Sequence, residues 1–362
     1  MTRRIFVRIW TLVLALLVPF AAADAHAAAR LQSRLSADKA ARTTADEVVV
    51  RFTLTNGGDA AARMLRWHTP LFGANDDLFE VTRDGQPVAY VGRHVRRLPP
   101  TAADYVVVRP GEVLSTTVPL SSLYDFSKPG QYNVRYRVRV FAAPTGATKR
   151  ALVDLAASNA LTLELGGEDL SAAVEEATDA AAGAARDVGA AFLAPRYRNC
   201  STARRNTITG ALSGAQTHTN RARTQINMSR GGSRYTLWFG AYTANRLATA
   251  RRIYGSIDDA LRNKTLEFDC GCTEPSWYAY VFSNAPYTIY LCPVFWNASA
   301  DDKAGTITHE LSHFNVVGAT ADWEYGVSAS QQLARDWPDY TAGNDSIGTH
   351  GNADTIAYFG YP

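Results

Sequence analysis

The stretch Thr308-His309-Glu310-Leu311-Ser312-His313 decides how the carboxy-terminal half of the chain is read. Its two histidines are four residues apart. On a helix that spacing sets both imidazoles on one face, about one turn apart. Each then has a ring nitrogen to offer to the same Zn²⁺ ion. Glu310 stands beside the first histidine, where its carboxylate can take a proton from a water activated by the metal. Gly305-Thr306-Ile307 before the motif, and Leu311 and Phe314 within and after it, suit a helix with one apolar face.

This is the HExxH pattern of zinc metallopeptidases, and a chain with seven histidines seldom produces it by chance. A catalytic zinc takes a third protein ligand and keeps one position open. The metzincin pattern is excluded, because Val316 and Ala319 occupy the positions of its glycine and third histidine. Asp322 and Glu324 are the nearest acidic candidates. Asp336, Asp339, Asp345, Asp354 and His350 lie further on. Spacing alone leaves the choice open.

At 362 residues and 46% hydrophobic content, the chain is long enough for two domains with real cores. A formal charge of +3 is too small to argue for a nucleic-acid partner, and the scattered arginines read as solvated surface. Arg3, Arg4 and Arg8 precede an apolar run from Ile9 to Phe20, and Ala21-Ala22-Ala23 and Ala25-His26-Ala27 offer small-residue cleavage sites. That run is short for a membrane span, and no second candidate of about 20 residues follows. Residues 1–27 therefore read as a signal peptide. The expected product is secreted, extracellular and free of the membrane once the signal is removed. Export makes disulfides the default for the four cysteines, which all lie between Cys200 and Cys292. Cys270 and Cys272 are too close to bond each other comfortably, which leaves two pairings open.

Upstream of the cysteines the pattern changes twice. Residues 28–165 carry short alternating segments: 47–55, 78–83, 88–91, 105–108, 113–118, 131–141 and 160–165, separated by turn signals such as Asp84-Gly85, Pro110-Gly111 and Pro129-Gly130. That spacing predicts an immunoglobulin-like β-sandwich. Residues 166–195 are rich in Ala, Asp and Glu, and read as an interdomain linker open to proteolysis. From 196 the character is mainly helical. Helices are expected over 201–228, within 234–261, through the motif to a cap at Gly318, and over 328–336. Short strands are expected over 266–270, 277–282 and 288–292, and a loop-rich tail closes the chain. A strand of this kind at the edge of a peptidase cleft can pair with an extended substrate. His218 reads as a surface or packing residue.

Gly318-Ala319-Thr320-Ala321-Asp322-Trp323-Glu324-Tyr325-Gly326 resembles the GTxD-type motif of the aspzincins, the family of deuterolysin and peptidyl-Lys metalloendopeptidase. Tyr235-Thr236-Leu237-Trp238-Phe239-Gly240, Phe268-Asp269-Cys270-Gly271-Cys272, Tyr290-Leu291-Cys292 and Asn352-Ala353-Asp354 extend the resemblance from Cys200 to about Phe359. Upstream, Phe79-Glu80-Val81-Thr82-Arg83-Asp84-Gly85 and Ser127-Lys128-Pro129-Gly130 are similar to the pro-domain of such precursors. The resemblance implies one Zn²⁺ per chain, held by His309, His313 and Asp322, with Glu310 and Tyr325 catalytic. Tyr325 would stabilise the oxyanion. It also implies the disulfides Cys200–Cys270 and Cys272–Cys292, and protein or peptide substrates.

Asp354 matches a substrate-binding carboxylate of the lysine-specific members. Ala357 stands where those members carry a second acid. One carboxylate should hold a lysine ammonium less tightly than two. The expectation is therefore a two-domain secreted endopeptidase, made as an inactive precursor, with a preference for Lys on the carboxyl side of the scissile bond that is weaker than in the strict members. Its sandwich pro-domain (28–165) would act as an intramolecular inhibitor, its linker (166–195) would carry the maturation site, and its mainly α (α+β) zincin-type domain would span 196–362. The alternative is a broad-specificity, deuterolysin-like protease whose sandwich stays attached as a binding module.

Overall fold

In Val49–Asn56 apolar and polar residues alternate, so Val50, Phe52 and Leu54 share one face, and all three are buried. That strand sets the pattern of the amino-terminal region. In the computed structural model, residues 29–39, 41–142, 151–171, 193–228, 232–336, 340–342, 345–347 and 351–362 are described. The expected signal peptide and all but the ends of the expected linker lie outside them, as do Asp339 and His350. Among the described residues no helix is long and apolar enough to cross a membrane.

The amino-terminal region contributes β1 (Leu31–Ser36), β2 (Ala41–Thr43), β3 (Val49–Asn56), β4 (Ala62–Leu65), β5 (Phe79–Arg83), β6 (Gln86–Pro87), β7 (Arg93–Arg97), β8 (Tyr105–Val108), β9 (Val113–Pro119), β10 (Gly130–Tyr136), β11 (Val138–Ala142), β12 (Ala151–Leu155) and β13 (Leu161–Gly166). One sheet has the order β1-β3-β9 and another β2-β13-β10-β5-β6, while β4 pairs with β8 and β11 with β12. Residues of the two larger sheets, among them Phe52, Val118, Val81, Tyr132 and Leu163, share one apolar core.

The carboxy-terminal region is helical around a smaller sheet. Its helices are α1 (Thr202–Met228), α2 (Ser233–Phe239), α3 (Ala244–Asn263), α4 (Pro293–Asn297), α5 (Ala300–His313), α6 (Val327–Asp336) and α7 (Ala353–Phe359). Its strands are β14 (Arg196–Arg198), β15 (Glu267–Asp269), β16 (Trp277–Phe282) and β17 (Thr288–Leu291), followed late in the chain by the hairpin β18 (Tyr340–Ala342) and β19 (Asp345–Ile347). The motif helix α5 packs against α1 so closely that a Cβ on Gly214 would come within 2.7 Å of Ala304 Cβ. One disulfide, Cys200–Cys270, ties the approach to α1 to the end of β15. The other, Cys272–Cys292, ties the following loop to the end of β17.

Four details differ from the sequence pattern. The expected strand at 88–91 is not continuous, because the segment changes partner: Val88 N–H bonds to the Val81 carbonyl (2.9 Å) in the register of the β5–β6 hairpin, while Val91 N–H bonds to the Leu123 carbonyl (2.8 Å) beside the Tyr90–Tyr124 bridge. The single strand expected over 131–141 is split at Arg137, whose N–H bonds to the Leu78 carbonyl at 3.0 Å. The tail is not all loop, since α7 buries Ala353, Ile356, Ala357 and Phe359 at helical spacing. The fourth concerns the boundary between the two regions. The second region's sheet has the order β14-β15-β17-β16-β7, so its last strand comes from the first region. Within that sheet β7 runs antiparallel to β16, with Trp277 opposite Arg97, Ala279 opposite Arg96, Tyr280 opposite Val95 and Phe282 opposite Arg93. Val95 is fully buried there against Trp277 and Cys292.

Candidate metal centre and cleft

Helix α5 starts at Ser299, whose hydroxyl accepts from Asp302 N–H at 3.0 Å, and Asp301 and Asp302 in its first turn complement the helix dipole. It ends at His313, not at Gly318 as the glycine suggested. Phe314 leaves the helical conformation (ψ 134°), and Asn315 N–H bonds across to the Ser283 carbonyl. The chain then doubles back. Gly318 passes so close to α5 that a Cβ there would lie 2.5 Å from the Ser312 carbonyl oxygen, and Ala319 takes a left-handed φ of 51°.

The return segment orients the second histidine. The Thr320 carbonyl lies 2.7 Å from His313 Nδ1, which turns Nε2 the other way. His309 is set by Asp354 at the start of α7, with its Nδ1 2.9 Å from Asp354 Oδ1. Both Nε2 atoms consequently face Asp322, at 3.1 Å (His309 to Oδ1) and 3.5 Å (His313 to Oδ2). A tetrahedral zinc with bonds of about 2.0–2.1 Å sets its donor atoms roughly 3.3–3.4 Å apart; the two histidine-to-Asp322 distances bracket that value, and one donor atom from each of the three residues lies within 4.8 Å of the others. The two Nε2 atoms and both Asp322 oxygens are buried without a hydrogen-bond partner. Four orphaned acceptors converging on one point are costly unless a cation satisfies them. This donor set therefore fits Zn²⁺, and it is the one such cluster among the described residues. Burial alone would raise the Asp322 carboxyl, but His313 and His309 hold it well below the usual carboxylate range.

Glu310 is fully buried beside this set, and neither of its carboxylate oxygens has a hydrogen-bond partner. Burial, with a smaller push from Asp322, raises it to about 8 against the opposing effect of His309. A carboxylate poised near neutrality is suited to accept and return a proton. Tyr325 is buried and lines the same cavity as Asp322 and His94. Its Oη accepts from Arg97 Nη1 at 2.8 Å and donates to the Val95 carbonyl at 3.1 Å.

Asp354 does more than its sequence position suggested. Besides His309, its Oδ1 takes Arg96 Nε at 3.3 Å, and its Oδ2 accepts from Gly326 N–H at 2.7 Å. It thus joins the metal-facing histidine, the Tyr325 loop and a buried cation. Asn352, two residues earlier, accepts from Trp323 N–H and Glu324 N–H and so fastens the loop carrying Asp322 and Tyr325 to α7. His218 is a packing residue, buried with its Nε2 3.0 Å from Asp301 Oδ1.

The residues that sequence reasoning missed all lie on β7. The His94 ring stacks on His313 with centroids 4.8 Å apart. Arg96 and Arg97 are 1% and 6% exposed and Arg246, on α3, is 4% exposed, so the arginines are not all solvated surface. Arg97 pairs with Asp76 of its own region at 3.2 Å, and Arg96 pairs with Asp354 of the other. Arg-His-Val-Arg-Arg has no apolar alternation, and its partners are remote in sequence, so no local signal marked it.

A family model described as lysine-specific metallo-endopeptidase, of the aspzincin type, matches residues 224–360. An extracellular protease of Aeromonas hydrophila is 37% identical over 351 residues, covering 96% of each chain. A peptidyl-Lys metalloendopeptidase of Grifola frondosa is 29% identical over 323 residues, covering 85% of this chain and 86% of that one. Among solved structures, a zinc peptidase from Grifola frondosa matches with 33% identity and a TM-score of 0.41, over 44% of this chain and 96% of that one.

Proposed function

The chain belongs to the aspzincin zinc metalloendopeptidases, and from that premise we propose that it is a secreted precursor whose peptidase region, residues 196–362, hydrolyses peptide bonds at His309, His313, Asp322, Glu310 and Tyr325. The observation that carries this reading is the convergence of four partnerless buried donor atoms from His309, His313 and Asp322 next to the partnerless carboxylate of Glu310.

When bound by those three side chains, Zn²⁺ supplies Lewis-acid activation of a water and polarisation of the scissile carbonyl. Glu310 takes the proton of the attacking water and delivers it to the leaving amine nitrogen. Tyr325 Oη donates to the carbonyl oxygen as charge develops there. Thr320 and Asp354 hold the two imidazoles in the tautomer that leaves Nε2 free. A substrate strand pairs with the edge of β16. Asp354 favours a residue with a positive side chain, lysine included, on the carboxyl side of the scissile bond.

The amino-terminal region (28–165) is the inhibitory pro-region, and the segment 166–195 is where maturation cuts. What favours this over a permanently attached binding module is the place of β7. It occupies the edge of β16, contacts Tyr325 and stacks on His313, which is where substrate must lie. The test is Glu310→Gln in the full chain, with parent and variant alike first cut within 166–195 by an added protease so that the amino-terminal region no longer covers the site. Zinc should be retained at one equivalent, with peptide cleavage reduced about 10³-fold or more. Cleavage at the parent rate would end the assignment.

A further inference from the structure

Resting on that reading of the site, in which Asp354 receives the residue on the carboxyl side of the scissile bond, we propose that the pocket around Asp354 is shaped for a guanidinium, and that the enzyme cuts before arginine at least as readily as before lysine. The argument starts from register. Strand β7 runs antiparallel along β16, as an extended substrate would, with Val95 opposite Tyr280 and Arg96 opposite Ala279. The Val95 carbonyl accepts from Tyr325 Oη, the donor assigned to the scissile carbonyl. The Val95–Arg96 bond therefore stands where a bond to be cut would stand, and Arg96 is the residue on its carboxyl side.

The side chain of Arg96 enters a buried pocket made by the peptidase region alone. Its Nε meets Asp354 Oδ1 at 3.3 Å. Its Nη1 donates to the Asp302 carbonyl at 3.0 Å and to Thr306 Oγ1. Its guanidinium carbon lies 4.8 Å from the ring centre of Tyr278 and 5.6 Å from that of Tyr358. Tyr361 closes the pocket over Gly305, where a Cβ would come within 2.0 Å of Tyr361 Oη. The acceptors are spread along the fork of a guanidinium, and aromatic rings lie within cation–π reach of it. That fits a planar cation with several fixed donors better than the compact ammonium of lysine. The neighbouring Arg97 makes the contrast, since its ion-pair partner Asp76 belongs to the amino-terminal region and would leave with it.

The reaction is plain hydrolysis. One water gives OH to the acyl carbon and H to the arginine amine nitrogen as the C–N bond breaks, and no other reactant is needed.

The test uses the zinc-loaded enzyme recovered from expression of the full chain. The substrates are fluorogenic peptides identical except for Arg, Lys or Gln on the carboxyl side of the scissile bond. The expected kcat/KM before Arg is within about threefold of that before Lys or above it, and about 100-fold or more above Gln. A value before Arg more than about threefold below Lys overturns the proposal. Cleavage of none of the peptides overturns the protease reading itself, and this inference with it. A second measurement needs no turnover. In the intact Arg96→Ala chain, agmatine should bind about tenfold more tightly than 1,5-diaminopentane by calorimetry. Equal or reversed affinities count against the pocket. Tyr278→Leu should lower the Arg-to-Lys ratio of kcat/KM by about threefold or more, and an unchanged ratio removes the stacking argument.

Discussion

His309 Nδ1 lies 2.9 Å from Asp354 Oδ1, joining the motif helix to a helix that begins 44 residues further along. The contact fixes which imidazole nitrogen faces Asp322, so the proposed metal site leans on a residue outside the motif. Asp354→Asn should weaken zinc binding about 10–100-fold, as read by competition with a chromogenic chelator. The intact chain should also melt earlier, because Arg96 would lose its charged partner in a buried site. An unchanged zinc affinity would mean that Asp354 does not orient His309.

Tyr325 offers one hydroxyl to the cleft, and that hydroxyl already touches a carbonyl. Once the chain has been cut within 166–195, Tyr325→Phe should lower kcat about 10²-fold, with KM little changed and zinc retained. Steady-state kinetics together with metal analysis separate this from a structural defect. A fall in zinc content would assign the loss to folding instead.

The two disulfides close loops of different length, with sequence separations of 70 and 20 residues. Loop entropy assigns about 4.4 kcal/mol to the longer and about 3.3 kcal/mol to the shorter. Replacing Cys200 and Cys270 by Ser should therefore cost more stability in urea than replacing Cys272 and Cys292. The reverse order would show that local packing around Cys292, rather than loop length, sets the balance.

Acid should weaken the amino-terminal region in a defined window. Burial, with help from the positive charge of Arg97, holds the partly buried His68 at about 4, below the ordinary 6.5. Between those values the unfolded chain binds a proton that the folded chain refuses. The stabilising contribution is therefore complete above about pH 6.5 and is lost as pH falls toward 4. His68→Gln should flatten the decline in denaturation midpoint between pH 6.5 and 4. His94, also held at about 4 by burial, should leave part of the slope in place. An identical slope in the variant would exclude His68 as a contributor.

The parts legible in the sequence were those set by short-range geometry. A helix brings positions 309 and 313 to one face wherever it sits, and alternation in Val49–Asn56 marks a half-buried strand. A β-rich first half and a helical second half followed from the same periodicities. Gly318 misled for a physical reason. It looked like a helix cap, but it is there to pass close over Ser312 while Asn315 bonds to Ser283 and ends the helix at His313.

By itself, then, the sequence determined that the motif makes a two-histidine face with an acid beside it, because helical spacing needs nothing else. Only the tertiary structure decided what surrounds that face. It brought Asp354 to His309, folded the chain back to set His313, and carried the half-buried His94 and the buried Arg96 and Arg97, more than 200 residues upstream of the motif, into the cleft. A buried arginine is tolerable only where distant acceptors and rings meet it. No pattern within Arg93–Arg97 could announce Asp354, Asp302 and Tyr278, so its burial is a property of the assembled fold.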